Sequence, residues 1–190
     1  MINLSQNRQY IRGSLMRHFL IRLQTMEQYI FRFFNTRLHN SFLNFFFYYL
    51  TNLGGATFTI IATLAIWLIA PHAWSLAGLQ AAVALAISHI PVAIVKKLYP
   101  RIRPYLAIPE TITFRNPLTD HSFPSGHTTA IFSVTVPFML THAGTIPWLL
   151  PIALLVAISR MYLGLHYPSD VLVGMLIGSG VAFGTVAFWP

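Results

Sequence analysis

Residues 38–95 contain no Asp, Glu, Lys or Arg, and read LHNSFLNFFFYYLTNLGGATFTIIATLAIWLIAPHAWSLAGLQAAVALAISHIPVAIV. About 20 apolar residues of helix cross the hydrocarbon core of a bilayer, so this stretch is long enough for two spans. Uncharged stretches also cover residues 121–159 and 171–190, and only 8% of the chain is charged, against about 25% in soluble domains. A soluble surface could hardly be built from so few charges. We therefore predict an all-α integral membrane protein.

The apolar pattern divides into a small number of helices. Predicted spans cover about residues 46–70, 75–95, 125–142, 147–164 and 169–189. In the last span, Gly174 and Gly178 have the small-xxx-small spacing that favours close helix contact. The predicted fold is a bundle of five transmembrane helices, with six as the alternative.

The N-terminal segment differs from the rest because it is rich in arginine. Five apolar residues in it recur at helical spacing: Met26, Tyr29, Ile30, Phe33 and Phe34. Arg32 and Arg37 lie off this stripe, which predicts an amphipathic helix in the membrane interface; a solvated basic tail is the alternative. We divide the chain into this basic segment, residues 1–42, and a transmembrane domain, residues 43–190. The net charge of +8 indicates anionic lipid headgroups or an anionic substrate, rather than nucleic acid, as the partner.

Three polar clusters interrupt the apolar pattern at the ends of predicted spans. They are Lys96-x6-Arg103-Pro104, Pro124-Ser125-Gly126-His127 and Ser159-Arg160-x5-His166-x3-Asp170. With five spans, all three fall on the same face of the membrane. Ionisable groups beside the hydrocarbon are usually retained for function, so we expect the clusters to form one site.

The residue types in these clusters suit the binding of a phosphate group. Lys96, Arg103 and Arg160 supply three cations, and arginine is well shaped for bidentate contact with phosphate oxygens. Ser125 and Gly126 resemble a helix start, whose free N–H groups and dipole attract anions. We predict that these five residues bind the substrate.

Two histidines and one carboxylate are the predicted catalytic residues. His166 is the predicted nucleophile. Asp170, which follows four residues later, is predicted to orient the His166 ring, and His127 to protonate the leaving oxygen. The same three residues would suit zinc by ligand type, but the nearby cations oppose a divalent ion. We therefore predict neither a metal nor a cofactor. His89, in the middle of a span, is predicted to hydrogen-bond a neighbouring carbonyl instead.

The three clusters together resemble the signature of the type 2 phosphatidic acid phosphatase superfamily, and every motif position matches in type and spacing. The resemblance covers roughly residues 45–190 and implies a metal-independent phosphatase with a phosphohistidine intermediate. Members typically have six spans, and this chain carries a basic segment in place of the first. Vanadium haloperoxidases are also similar, but they are soluble, and the composition of this chain argues against that class.

The resemblance implies a lipid phosphate or diphosphate as substrate, with undecaprenyl diphosphate ranked first. Phosphatidylglycerol phosphate and phosphatidic acid are the alternatives, and a non-catalytic protein that binds anionic lipid is a more distant one. We expect a multi-pass protein of the cell membrane; no pattern indicates an oligomeric state. The arginines of the N-terminal segment favour a cytoplasmic site by the positive-inside rule, whereas the resemblance implies an extracytoplasmic one, which we favour.

Overall fold

A computed structural model describes residues 4–113 and 119–189, and the side chains from residue 16 onward within those ranges. All regular secondary structure in them is helical, which confirms the predicted class. The helices are α1 (Leu4–Arg32), a π-helical turn (Phe33–Arg37), α2 (Ser41–Leu50), a 3-10 turn (Thr51–Gly54), α3 (Ala56–Ile69), α4 (His72–Leu98), α5 (Pro104–Ala107), α6 (Gly126–Thr141), a 3-10 turn (Ala143–Thr145), α7 (Ile146–Tyr162) and α8 (Pro168–Phe188).

Within the described ranges, three helical segments are long and apolar enough to cross a membrane. They are α4, the segment Ala143–Tyr162 that contains α7, and α8. A fourth is added if α2 and α3, which meet at an angle of 53°, form one broken span. Helix α6 has 16 residues, so it is about 24 Å long and falls short of a full crossing. The predicted number of five spans is thus not confirmed by length and composition.

The predicted span 46–70 is corrected by the structure, because it is not one continuous helix. Helix α2 ends at Leu50, and α3 begins only at Ala56, after a 3-10 turn. A Cβ atom on Gly54 would lie 2.7 Å from the backbone oxygen of His127. The break therefore brings this turn into direct contact with the start of α6, at a position where no larger residue fits.

Helix α6 is the centre of the bundle and packs against α3, α4, α7 and α8. All its residues from Thr128 to Phe138 are buried. A Cβ atom on Gly174 of α8 would lie 2.6 Å from the backbone oxygen of Ser125, and one on Gly178 would overlap the backbone oxygen of Thr129. The close contact predicted for this glycine pair is confirmed, and it places the N-terminal ends of α6 and α8 side by side.

The end of α1 is anchored to the bundle, whereas its predicted apolar stripe is largely exposed. Phe31 and Asn35 are fully buried, and the Asn35 side chain donates a hydrogen bond to the Tyr162 backbone oxygen at 2.8 Å. The exposed apolar side chains of the stripe are Met26, Tyr29, Ile30 and Phe33. Its place in the membrane interface and the division of the chain at residue 42 remain predictions.

Candidate active site

The three predicted motifs meet at one end of the bundle, where α4 and α7 end and α6 and α8 begin. The backbone N–H of Ser125 donates to the backbone oxygen of Asp170 at 3.0 Å, which joins the second motif to the third. Nη1 of Arg103 donates to the backbone oxygen of Leu165 at 2.8 Å, which joins the first motif to the third. Residues far apart in the sequence therefore share one polar site.

Arg103 contacts the predicted nucleophile directly. Its side chain is 1% exposed, and Nη1 lies 3.1 Å from Nε2 of His166. A guanidinium group can only donate hydrogen bonds, so Nε2 carries the lone pair and Nδ1 carries the proton. This contact assigns the tautomer in which Nε2 carries the lone pair that a nucleophile needs.

His166 is enclosed and kept neutral by its surroundings. Burial, followed by the positive charges of Arg160 and Arg103, holds the pKa of His166 well below its ordinary range. Nδ1 lies 3.5 Å from Oδ2 of Asp170, which is longer than a hydrogen bond. That oxygen accepts a hydrogen bond from the backbone N–H of Tyr167 at 2.8 Å instead. Asp170 therefore faces the proton-bearing nitrogen of His166 at ionic-contact distance, without the predicted hydrogen bond.

Arg160 is buried and only partly satisfied. Its side chain is 2% exposed, and Nη1 donates to Oγ1 of Thr51 at 2.7 Å. Its Nε and Nη2 groups have no hydrogen-bond partner within the described parts of the chain. Buried, unpaired donors on a cation are costly, and the oxygens of a bound anion would satisfy them. Sequence reasoning missed Thr51. The feature that could have indicated it is the Gly54-Gly55 pair just after it, which marks the break in the span.

The start of α6 is open to a ligand. Ser125 caps the helix, and its hydroxyl accepts a hydrogen bond from Oγ1 of Thr128 at 3.0 Å. In the parts of the chain that the structure describes, no atom outside its chain neighbours and its own helix backbone lies within 4 Å of the Cβ position of Gly126, so an anion could approach the backbone N–H groups of the first turn there. His127 is half-buried, and its Nε2 is 3.8 Å from the Cβ position of Gly55. It also interacts electrostatically with His166, which places both predicted catalytic histidines in one site.

Asp120 bridges two of the predicted substrate-binding cations. Lys96 donates to its Oδ2, and Nη2 of Arg103 donates to its Oδ1 at 2.5 Å. Burial would raise the pKa of Asp120, but the hydrogen bond from Lys96 and the charge of Arg103 lower it to about 2. Sequence reasoning did not select Asp120 as a site residue. Its carboxylate accepts hydrogen bonds from two of the cations that are predicted to bind phosphate.

A second charged cluster lies behind Asp170. Nη1 of Arg101 donates to Oδ1 of Asp170 at 2.7 Å, and Nη2 donates to Oε2 of Glu27 at 2.6 Å. Burial would lower the pKa of Arg101, but the hydrogen bond to Glu27 and the charge of Asp170 raise it above its ordinary value. Sequence reasoning selected neither Arg101 nor Glu27. The available signal was that Glu27 is the only acidic residue before Glu110.

The remaining predictions for the histidines concern metal binding and the role of His89. Among the described residues, no group of three or more His, Cys, Asp or Glu side chains is arranged to hold a metal ion. Nδ1 of His89 donates to the backbone oxygen of Leu85 at 2.9 Å, which confirms its predicted structural role.

Comparison with known proteins identifies relatives. The chain matches the PAP2 superfamily over residues 77–190. It is 32% identical over 111 residues to undecaprenyl-diphosphatase of Sulfolobus acidocaldarius, covering 57% of this chain and 53% of that protein. It is 32% identical over 152 residues to undecaprenyl-diphosphatase BcrC of Bacillus subtilis, covering 76% and 74%. A decaprenylphosphoryl-5-phosphoribose phosphatase of Mycobacterium tuberculosis is 38% identical over 111 residues, covering 57% and 56%. The chain thus spans little more than half the length of two of these relatives.

Two solved structures share the fold. LpxE of Aquifex aeolicus superimposes with a TM-score of 0.74 at 23% identity, covering 85% of this chain and 95% of that one. A transmembrane PAP2-type phosphatidylglycerolphosphate phosphatase of Bacillus subtilis gives a TM-score of 0.72 at 25% identity, covering 93% and 94%. Both superpositions include more of the chain than residues 77–190, so the likeness extends to the N-terminal helices.

Proposed function

The chain belongs to the PAP2 superfamily, and from that premise we propose that it is a multi-pass membrane lipid phosphatase that works through a phosphohistidine. The observation that carries the proposal is Arg160, a buried cation whose Nε and Nη2 atoms have no hydrogen-bond partner among the described residues, in the same site as a neutral His166. An anion with several acceptor oxygens would satisfy these donors, and a phosphoryl group has that chemistry.

The first step would transfer the phosphoryl group to the protein. Phosphate oxygens accept hydrogen bonds from Arg160, Lys96 and the first turn of α6, while Arg103 turns from Nε2 of His166 to an oxygen. Nε2 then attacks phosphorus. The N–P bond forms as the P–O bond to the leaving group breaks, and His127 gives its proton to the leaving oxygen.

The second step would release inorganic phosphate. His127, now neutral, takes a proton from a water molecule whose oxygen attacks phosphorus. The N–P bond breaks, its electron pair returns to Nε2 of His166, and the protonated His127 is regenerated. Asp170 faces Nδ1–H throughout and stabilises the positive charge that the ring carries as a phosphohistidine.

Undecaprenyl diphosphate is the substrate we favour, because two of the relatives above are named undecaprenyl-diphosphatases. The alternatives are phosphatidylglycerol phosphate, since a protein of the same fold is a phosphatidylglycerolphosphate phosphatase, and phosphatidic acid. Initial rates with the three lipids, presented in the same detergent, rank them by kcat/KM. A preference for either monophosphate would overturn the diphosphate assignment.

The function is tested with purified protein in detergent and EDTA, which removes divalent metal ions. We expect release of phosphate from undecaprenyl diphosphate, and complete loss of turnover in His166→Ala. His72→Ala, a change at an exposed histidine at the start of α4, is the matched control and should retain full activity. Brief reaction with 32P-labelled substrate should leave acid-labile label on the wild type and none on His166→Ala. Turnover by His166→Ala would disprove the nucleophile; lipid binding without turnover by the wild type would indicate an anionic-lipid-binding protein.

The remaining proposals concern the membrane. We propose five spans, with α2 and α3 as one broken span and α6 enclosed by its neighbours, and an interfacial α1. We also propose an extracytoplasmic active site. The chain has no cysteine, so Ala107→Cys, at an exposed position on the same side as the site, provides a single thiol. Labelling of intact cells by an impermeant thiol reagent would support this orientation, and labelling only after lysis would refute it.

A further inference from the structure

The charged cluster behind Asp170 joins the N-terminal helix to the candidate active site. It contains two carboxylates, those of Glu27 and Asp170, with the guanidinium of Arg101 between them. Glu27 lies on α1, outside the residues matched by the family, and neither it nor Arg101 has a role in the mechanism above. We propose that Glu27 and Arg101 are positioning residues that set the orientation and charge of Asp170 toward His166. This inference rests on the proposed phosphohistidine mechanism.

The geometry divides the two oxygens of Asp170 between different partners. Oδ1 accepts from Arg101 at 2.7 Å, whereas Oδ2 accepts from the backbone N–H of Tyr167 at 2.8 Å and faces Nδ1 of His166 at 3.5 Å. Since the Asp170 side chain is fully buried, these contacts determine which oxygen the histidine meets. Arg101 therefore helps to fix the rotation of the carboxylate, together with Tyr167 and the Ser122 side chain, and is the cation that shares its negative charge.

Glu27 in turn holds Arg101 in place. Its Oε2 accepts from Nη2 of Arg101 at 2.6 Å, and its Oε1 accepts from the backbone N–H of Ser169 at 3.2 Å and from the Ser169 hydroxyl. The guanidinium also lies 3.8 Å from the ring centroid of Tyr167. The Glu27 side chain is only 16% exposed, so its charge is poorly screened by water. Arg101 is thus clamped from α1, from the start of α8 and by an aromatic face.

The charge of this cluster matters because the other groups around His166 are mostly cationic. Arg103, Arg160 and Lys96 all act on its ring electrostatically, and His127 belongs to the same site. Asp120 is the other nearby carboxylate, and it is paired with Lys96 and Arg103. Two carboxylates against one guanidinium leave the cluster with one net negative charge, which favours the positive ring of a phosphohistidine.

The test compares Glu27→Gln with Glu110→Gln. Both remove one carboxylate charge, but Glu110 is exposed and lies outside the cluster. We expect Glu27→Gln to lower kcat by about tenfold, the equivalent of one pKa unit, with KM within about twofold. The acidic limb of its kcat/KM profile, measured with undecaprenyl diphosphate, should move to lower pH by about half a unit to one unit, because the histidine loses negative charge nearby. Glu27→Asp, which keeps the charge, should recover part of kcat, and Glu110→Gln should match the wild type.

A second measurement does not depend on turnover. In protein labelled with 15N-histidine, the ring signals of His166 are identified by their absence in His166→Asn. The Nδ1 signal should shift in Glu27→Gln and stay unchanged in Glu110→Gln. If Glu27→Gln does not fold, Ser169→Ala replaces it, because it removes the hydroxyl that holds Oε1 of Glu27.

The outcomes separate this inference from the proposed function. If the wild type releases no phosphate from any lipid tested, the proposed function fails. The His166 signal then still tests whether Glu27 and Arg101 act on His166 through Asp170. An unchanged His166 signal overturns the inference whatever the activity. The inference is also overturned if Glu27→Gln only reduces the folded fraction. In that case kcat per folded molecule and the pH profile would equal those of Glu110→Gln.

Discussion

Replacing Asp120 by Asn should strengthen the binding of phosphate. Lys96 and Arg103 both donate to the Asp120 carboxylate, which would therefore compete with phosphate oxygens for the same cations. Asparagine keeps the shape and one acceptor oxygen but removes the charge. A phosphate oxygen would then meet two cations that no carboxylate neutralises.

The size of the effect follows from the electrostatics of Asp120. Its pKa falls from 3.8 to about 2, and such a shift corresponds to about 2.5 kcal/mol of interaction with its partners. The side chain is 54% exposed, so solvent screening reduces this to about 1 kcal/mol. If the anion recovers that free energy, the affinity for phosphate rises about fivefold.

The assay is competitive inhibition of lipid hydrolysis by inorganic phosphate. We expect Asp120→Asn to lower Ki about fivefold and Glu110→Gln, an exposed charge of the same loop, to leave it unchanged. Because the folded-state pKa of Asp120 is below its unfolded value, its ion pairs are fully formed above about pH 4 and are lost only as the pH falls toward 2. The titration of Asp120 itself should therefore not change the ratio of the two Ki values between pH 5 and 8. An unchanged or higher Ki for Asp120→Asn would refute the reasoning.

Three further substitutions test the site and the packing that supports it. Thr51→Val removes the hydroxyl that accepts a hydrogen bond from the buried Arg160, and should lower kcat/KM by about tenfold, since such hydrogen bonds contribute about 1–3 kcal/mol. A kcat/KM equal to that of the wild type would contradict a role of Thr51 in positioning Arg160. Gly174→Ala, whose Cβ atom would meet the start of α6 at 2.6 Å, should destabilise the fold by about 2 kcal/mol in thermal unfolding, whereas Gly180→Ala, with no atom within 4 Å, should not. Gly126→Ala should leave the unfolding temperature unchanged but raise Ki for phosphate several-fold, because its methyl group occupies the space through which the anion approaches; unchanged binding would place the anion elsewhere.

The helices and motifs were accessible from the sequence because they depend on local patterns. Long uncharged stretches can be satisfied only by apolar helices, so the all-α class followed from composition. The spacing of Gly174 and Gly178 alone predicted a close helix contact. The position of His89 within a helix predicted its hydrogen bond to a neighbouring backbone carbonyl. The break in the first predicted span was missed, because hydropathy averages over the Gly54-Gly55 pair.

The motifs in the sequence identified the candidate site residues, and their positions at the ends of spans indicated that these residues share one site. Only the tertiary structure decided how those groups are paired. Lys96 and Asp120 are 24 residues apart, and Glu27 and Arg101 are 74 apart. No periodicity relates such positions, because the contacts arise from the packing of α1, α6 and α8 and the path of the loops between helices. Within the described ranges, the same packing left two donor nitrogens of Arg160 without partners, and the sequence contains no local pattern that predicts an unsatisfied hydrogen-bond donor in a folded site.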